Sequence, residues 1–255
     1  MSFNPENILE KSLIKASEDP AHRPQFYRDL CESDLFIIQH GEEAPAENRR
    51  VTLEEGMSVQ IKNIEHNGKP YIPVFSSLSR LQTVLTEEVA YLGVNALELM
   101  KFTQGAELLL NPGSDYGKEF TAEEVESIVS GSIWKPIETY TQEKEAKVML
   151  GQPQEYPDEL VGALTRYFKK EKTVKRAWLS HFFNPDDGHP PHTLIVLDAS
   201  ENYDIVMSEI GIILKNVKVP NPPVDIIPIT GNGGLEDRFL KEEKPFYKKK
   251  LFGLF

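Results

Sequence analysis

The chain has 255 residues, of which 40% are hydrophobic and 27% are charged, a composition that predicts a folded protein and a length that accommodates two domains. Its formal net charge is −12, and residues 1–150 hold 25 acidic against 14 basic residues, whereas residues 151–255 hold 15 against 14. Such an acidic first half should repel nucleic acid and anionic lipid and favour basic or neutral partners.

Cysteine usage and hydropathy point to a reducing compartment. Cys31 is the one cysteine, which excludes an internal disulfide and the zinc motifs built from several cysteines. No apolar run approaches the ~18 residues needed to cross a bilayer. The first residues also lack the basic and apolar regions of a secretory signal. We therefore expect a cytoplasmic protein that does not enter a membrane.

Residues 1–150 predict an N-terminal α+β domain with a mixed sheet, because short helices and strands alternate. The Asn-Pro-Glu run at residues 4–6 is typical of a helix start, and a second helix is predicted near Pro24. Strands are predicted at 35–38, at 59–64 and 71–75 around an Asn-Gly turn, at 89–94 and at 108–110. Ser76 or Ser77, and later Asn95, should cap the helices that follow two of these strands.

The stretch 108–125 predicts a buried strand, a glycine turn and a helix. Thr121 and Glu124 have the spacing of a capping box, in which each side chain satisfies a free amide of the first helical turn. The glycines before Lys118 approach a phosphate-binding loop, but only three residues separate them, and Glu119 stands where a hydroxyl should hold magnesium. We therefore interpret the turn as structural.

The second half predicts a linker at 151–157 and a C-terminal α+β domain at 158–255. Helices are predicted at 158–170, 202–214 and 235–243, and strands at 174–183, 193–197 and 224–229, with a possible strand at 147–150 before the linker. The fold class is thus α+β, with two small domains, each a mixed or antiparallel sheet packed with helices.

A histidine-rich loop is the nearest approach to a metal site. His189, His192 and Asp187 carry suitable ligand atoms. However, two prolines separate the histidines and hinder their convergence on one ion, and the spacing matches no known motif. We therefore predict neither a metal nor another cofactor, assign no catalytic residue and do not expect an enzyme.

Aromatic side chains crowd into the last ten residues, among them Phe246, Tyr247, Phe252 and Phe255. Leaving this apolar area in water would forfeit about 25 cal/mol per Å², so the tail should dock. We expect it to dock on its own domain, with a protein partner or a membrane surface as the alternative.

Several segments, taken in order, resemble the SseB (enhanced serine sensitivity) family of bacterial cytoplasmic proteins. The resemblance is carried by AHRPQFYRDLCES, PVFSSLSRLQ and LNPGSDYGKEF in the first half, and by KTVKRAWLSHF and KPFYKKKLFG in the second. It covers nearly the whole chain and implies an N-terminal and a C-terminal SseB domain. The family's name comes from a serine-sensitivity phenotype linked to a rhodanese-like sulfurtransferase, and the family offers no established catalytic residues to transfer.

Our first hypothesis is therefore a non-enzymatic protein-binding or regulatory protein, whose partner the resemblance suggests to be a sulfurtransferase. An immunity protein that neutralises a basic toxin is a second hypothesis, and a small-ligand-binding enzyme using the Lys118 turn or the His189 loop is a third. Neither the sequence nor the resemblance fixes the oligomeric state. The candidate partner-binding residues are His22, Arg23, Tyr116, Lys118, Phe246, Tyr247, Phe252 and Phe255.

Overall fold

The computed structural model describes residues 3–40, 59–136, 147–186, 188–199, 202–215, 217–231 and 235–250. The chain forms two compact units, Met1–Ile133 and Trp134–Phe255. Both have the α+β architecture expected from the sequence, with a mixed sheet in each. The division lies between Ile133 and Trp134, whereas the sequence placed the linker at 151–157.

The first unit begins with two helices, and strands and short helices then alternate. Its helices are α1 (Ile8–Glu18), α2 (Arg23–Glu32), α3 (Leu78–Thr83), α4 (Ala96–Phe102) and α5 (Ala122–Val129). Its strands are β1 (Asp34–Ile38), β2 (Ile64–His66), β3 (Lys69–Phe75), β4 (Tyr91–Asn95), β5 (Leu108–Leu110) and β6 (Lys118–Phe120). Ser77 caps α3 and Asn95 caps α4, as predicted from their side-chain oxygens.

The strands of the first unit lie in the order β4-β1-β3-β5-β6, with β2 paired to β3. The β3–β5 pair is parallel and the other pairs are antiparallel. Phe120 stacks on Phe26 of α2 at a centroid separation of 6.4 Å. Phe75 points to the opposite face, where it packs with Leu81 of α3. The sheet therefore has helical cover on both faces.

Two local predictions for the first unit are wrong in detail. Asn7, not Asn4, caps α1, because its side-chain oxygen accepts the amide of Glu10. The glycine turn leads into β6, which pairs with β5, so the unit is a hairpin followed by a helix. Residues 118–120 are too few to show an alternating apolar pattern, and this concealed the strand.

The second unit has helices α6 (Asp158–Lys170), α7 (Tyr203–Leu214) and α8 (Leu235–Lys241). Its strands are β7 (Met149–Gly151), β8 (Val174–Phe183), β9 (His192–Ala199), β10 (Val224–Pro228) and β11 (Tyr247–Lys248). The order is β10-β9-β8-β11, with β7 on β8, and only the β9–β10 pair is parallel among the described strands of this unit.

The core of the second unit lies on both faces of its sheet. Trp178, Phe182 and Val196 share one face, where Phe239 of α8 packs against them. Ala177 and Ile195 point to the other face and are also fully buried. A strand that is buried on both faces reads as a continuous apolar run, which explains why the sequence alone marks β9 clearly.

Candidate functional site

Arg23 and Lys118 are brought to the same place in the first unit, beside Tyr27 and Glu124. The Lys118 Nζ atom lies 3.1 Å from Oε1 of Glu124, and the Tyr27 hydroxyl donates a hydrogen bond to the same carboxylate. Burial, together with the charge of Glu124, raises the pKa of Tyr27 far above its ordinary value, while the positive charge of Arg23 opposes this rise. The four side chains therefore form a cluster of two cations, one carboxylate and one phenol that joins α2, β6 and α5.

This cluster changes two expectations drawn from the sequence. The Glu124 side chain does not accept the amide of Thr121, as a capping box would require. Thr121 alone caps α5, because its hydroxyl oxygen accepts the Glu124 amide. The Lys118 ammonium is engaged by a carboxylate and lies 4.8 Å from the centroid of the Phe120 ring. A phosphate would have to compete with that carboxylate, which supports the interpretation of the turn as structural.

Tyr116 lies in the glycine turn itself, where close backbone packing requires glycine at position 117. A side chain on Gly117 would place its Cβ atom 2.6 Å from the carbonyl oxygen of Leu110, which is closer than real Cβ atoms come. The ring of Tyr116 packs edge-on against Phe3, with centroids 5.1 Å apart. Tyr116 therefore holds the N-terminal segment against the turn.

A buried ion pair lies beside this turn. Glu10 of α1 is fully buried, and its Oε2 atom is 2.9 Å from Nη2 of Arg80 on α3. The hydroxyls of Ser76 and Ser77 donate to the other carboxylate oxygen. Burial alone would raise the pKa of Glu10, but these hydrogen bonds, led by that from Arg80, bring it below its ordinary value. Sequence reasoning missed this pair because its members are 70 residues apart.

A shallow groove of about 320 Å³ lies between the start of β3 and the loop before β5. Tyr71 borders it and donates a hydrogen bond of 2.9 Å to Glu119 of β6. This bond, together with burial and the carboxylate of Glu107, raises the pKa of Tyr71 to about 12. His66 lies 3.4 Å from the same carboxylate, so polar groups on β2, β3 and β6 are joined beside the groove.

The described residues of the histidine-rich loop do not gather ligands for a metal ion. His192 is 2% exposed, and its Nε2 atom lies 2.8 Å from Oδ2 of Asp225. Its Nδ1 atom lies 2.9 Å from the carbonyl oxygen of Pro190, so both ring nitrogens are engaged. His189 is exposed, and Asp187 lies outside the described residues. Among the residues that the structure describes, no group of three histidine, cysteine or acidic side chains could hold a metal ion.

The described part of the tail packs on its own unit. Tyr247 of β11 is buried, and its hydroxyl donates to the carbonyl oxygen of Phe168. Phe246 stacks on the Phe168 ring at a centroid separation of 6.3 Å. These two candidates therefore contribute to the core of the second unit, while Phe252 and Phe255 lie outside the described residues.

The remaining candidate, His22, closes a short 3₁₀ turn before α2 and is partly buried. It directly precedes Arg23, the first residue of α2.

The surface formed by α4 and α5 combines an exposed aromatic ring with acidic groups. Phe102, at the last turn of α4, is 67% exposed. Glu98 lies one turn earlier on the same helix face, and the side chain of Gln104 bonds Glu126 of α5 at 3.2 Å. Glu98, Phe102, Gln104 and Glu126 are called the Phe102 surface below. Sequence reasoning missed it because the apolar run of α4 gives no sign of which side chain faces water.

Comparison with known proteins gives matches over both units. Residues 9–127 match the family described as SseB protein N-terminal domain, and residues 142–249 match SseB protein C-terminal domain. The proteins named Protein SseB of Escherichia coli strain K12 and of Shigella flexneri are each 28% identical over 250 residues, which cover 97% of this chain and 94% of the relative. No solved structure matches. Within the described residues, every helix is too short or too polar to cross a membrane.

Proposed function

Since the chain belongs to the SseB family and carries both of its domains, we propose that it is a non-enzymatic regulatory protein of the cytoplasm that binds a basic protein partner. The exposure of Phe102 within an acidic surface carries this proposal. The family's link to a sulfurtransferase, implied by the resemblance above, makes that class of enzyme the first partner to test.

The energetic argument starts from the ring of Phe102. An aromatic side chain buries roughly 150–250 Å², and two thirds of this ring is exposed. Covering that area with a partner would contribute on the order of 2–4 kcal/mol at about 25 cal/mol per Å². This is the contribution of an interface hot spot, in which an aromatic anchor is surrounded by polar residues.

The charges around Phe102 select the partner. Glu98 lies one helical turn before the ring and Glu126 of α5 bonds Gln104, and Lys101 offsets one of these two charges by pairing with Glu98 at 2.7 Å. The surface is therefore acidic within an acidic half of the chain. Opposite charge on the partner accelerates association and excludes acidic competitors, and added salt should weaken this attraction.

The test is to identify the partner by co-purification from native extract with mass spectrometry, and then to measure its affinity with purified proteins by calorimetry. Phe102→Ser should weaken binding by about tenfold or more, because the hot-spot area is lost. Ile205→Ser is the matched control, since Ile205 is also exposed, at 51%, but lies in the second unit.

The results separate the hypotheses. A sulfurtransferase that binds this chain would support the first hypothesis, and a basic toxin would support the immunity alternative through the same acidic surface. The proposal fails if no protein co-purifies specifically, or if Phe102→Ser and Ile205→Ser bind the partner equally well.

A further inference from the structure

The first sheet has a terminal strand, β4, with properties that natural edge strands usually avoid. It pairs with β1 over all five of its residues, Tyr91–Asn95, and no other described strand joins it. Its sequence contains no charge and no proline. Charged side chains, prolines and bulges are the usual protection of an edge against pairing with another chain.

The register shows which backbone groups of β4 point outward. Ala96 donates to the carbonyl oxygen of Ser33, and Gln39 donates to that of Ala90, both at 2.9 Å. Hydrogen-bonded and non-hydrogen-bonded pairs alternate in an antiparallel ladder. The pair Phe36–Gly93 is then a non-hydrogen-bonded pair, so the amide and the carbonyl of Gly93 point away from β1.

Gly93 is also the exposed residue of this strand. No described residue bonds its outward amide or carbonyl group. Backbone groups that are accessible and already extended can accept a further strand without reorganisation, and this lowers the entropic cost of binding. Gly93 therefore offers one complete pair of hydrogen bonds to an incoming chain.

An apolar surface borders this edge. The Phe36 ring lies over Gly93, and a Cβ atom there would meet Cε1 of Phe36 at 3.1 Å. Tyr91 packs edge-on against Phe36 with centroids 6.2 Å apart. Val89 and Leu85 are partly buried in the same cluster. A side chain that lies opposite Gly93 on an added strand would thus contact the Phe36 ring where the glycine leaves it uncovered.

The charge beside the edge determines the partner. Glu87 and Glu88 are exposed immediately before the strand. An incoming segment that alternates basic and apolar residues pairs its basic side chains with Glu87 and Glu88 and packs an apolar side chain on the Phe36 ring.

We propose that β4 accepts an extended basic segment of the protein partner as an added strand, with Gly93 as the central backbone contact. This inference rests on the proposed protein-binding function and adds a docking mode, β-strand addition, in which main-chain bonds give affinity and alternate side chains give specificity. It uses a different surface from Phe102, so the two can be tested separately.

The probe is a short synthetic peptide that alternates lysine with valine, added to the full chain while amide hydrogen exchange is followed by NMR. Exchange at Gly93 should slow by about tenfold or more at saturation, because the amide must first lose its new hydrogen bond. The same peptide N-methylated at every backbone amide, and a version with glutamate for lysine, are the matched controls and should give no protection. Glu87→Lys combined with Glu88→Lys should weaken binding of the lysine peptide by about tenfold, since both side chains are exposed and the fold does not depend on them.

Four results would overturn the inference. Unchanged exchange at Gly93 with the lysine peptide in excess refutes strand addition, and so does protection that appears elsewhere in the chain but not at Gly93. Protection that rises with protein concentration in the absence of peptide identifies a second copy as the occupant. Partner binding that depends on Phe102 without protection at Gly93 would leave the proposed function standing and refute the docking mode alone.

Discussion

Replacing Arg80 with methionine should destabilise the first unit, because it leaves the Glu10 carboxylate buried without its cation. Arg80 makes two hydrogen bonds to Glu10, from Nε at 3.2 Å and from Nη2 at 2.9 Å. Hydrogen bonds to charged groups contribute roughly 1.5–3 kcal/mol each, and breaking a buried ion pair costs about 3–5 kcal/mol. Three donors, the Ser76 and Ser77 hydroxyls and the Glu6 amide, remain on the carboxylate. We therefore expect a loss near the lower end, about 3 kcal/mol in the free energy of unfolding.

Denaturant unfolding followed by far-UV circular dichroism measures this loss. Both tryptophans, Trp134 and Trp178, lie in the second unit, so tryptophan fluorescence reports that unit and should change much less. Lys101→Met is the matched control, since it removes a lysine from an exposed pair with Glu98. Such pairs contribute at most about 1 kcal/mol.

The pH dependence gives a second check with a defined sign. In the natural protein the folded-state pKa of Glu10 is lowered, so its contribution is present above the unfolded-state pKa and is lost as the pH falls through the folded-state pKa. Without Arg80, fewer hydrogen bonds oppose the burial that raises the pKa of Glu10, so Glu10 should take up a proton at a higher pH than in the natural protein, and the destabilisation should be smaller at about pH 5 than at about pH 7. A loss below about 1 kcal/mol, or one that is equal at both pH values, would refute this reasoning.

Two further predictions concern the β5–β6 turn and the groove. Gly117→Ala should lower the free energy of unfolding by about 1–3 kcal/mol, because the new Cβ atom meets the Leu110 carbonyl oxygen. In the control, Gly151→Ala, the new Cβ atom meets open space, so the free energy of unfolding should change by at most about 0.5 kcal/mol. Equal shifts of the denaturant midpoint in the two variants would contradict this prediction. In absorbance titration at alkaline pH, Tyr71 should ionise with a pKa of about 12. Glu119→Gln should lower the pKa of Tyr71 towards its ordinary value. An unchanged titration curve would show that the hydrogen bond of 2.9 Å to Glu119 does not raise the pKa of Tyr71.

Much of the fold could be predicted from short stretches of sequence, because helix caps, tight turns and helical periodicity depend on residues that are close together in the chain. Asn95 and Ser77 cap their helices with side-chain oxygens, and the Asn67 turn joins β2 to β3. Each of these features depends on residues within about one turn of each other. The α6 helix likewise has the predicted bounds, Asp158–Lys170, because its buried residues repeat at helical spacing.

The candidate site depends on contacts that no local pattern encodes. The bond from Tyr27 to Glu124 joins residues 97 apart, and Glu124 was expected to cap its own helix instead. Tyr247 was a surface candidate because of its position in an aromatic tail, yet it is a core residue. The edge position of Gly93 depends on strand order, and strand order is a property of the whole sheet.

The attachment of β11 to β8 has a consequence for synthesis on the ribosome. The Tyr247 hydroxyl bonds the Phe168 carbonyl group, which is made 79 residues earlier. At about 5–20 residues per second, this interval lasts roughly 4–16 s. For most of this interval Ala177 of β8 has been made but lacks its partner Tyr247, and an unpaired strand edge is the kind of surface that molecular chaperones cover. The described strands of the first unit have all been made once Phe120 has emerged. The nascent second unit should therefore depend on molecular chaperones more than the first unit does.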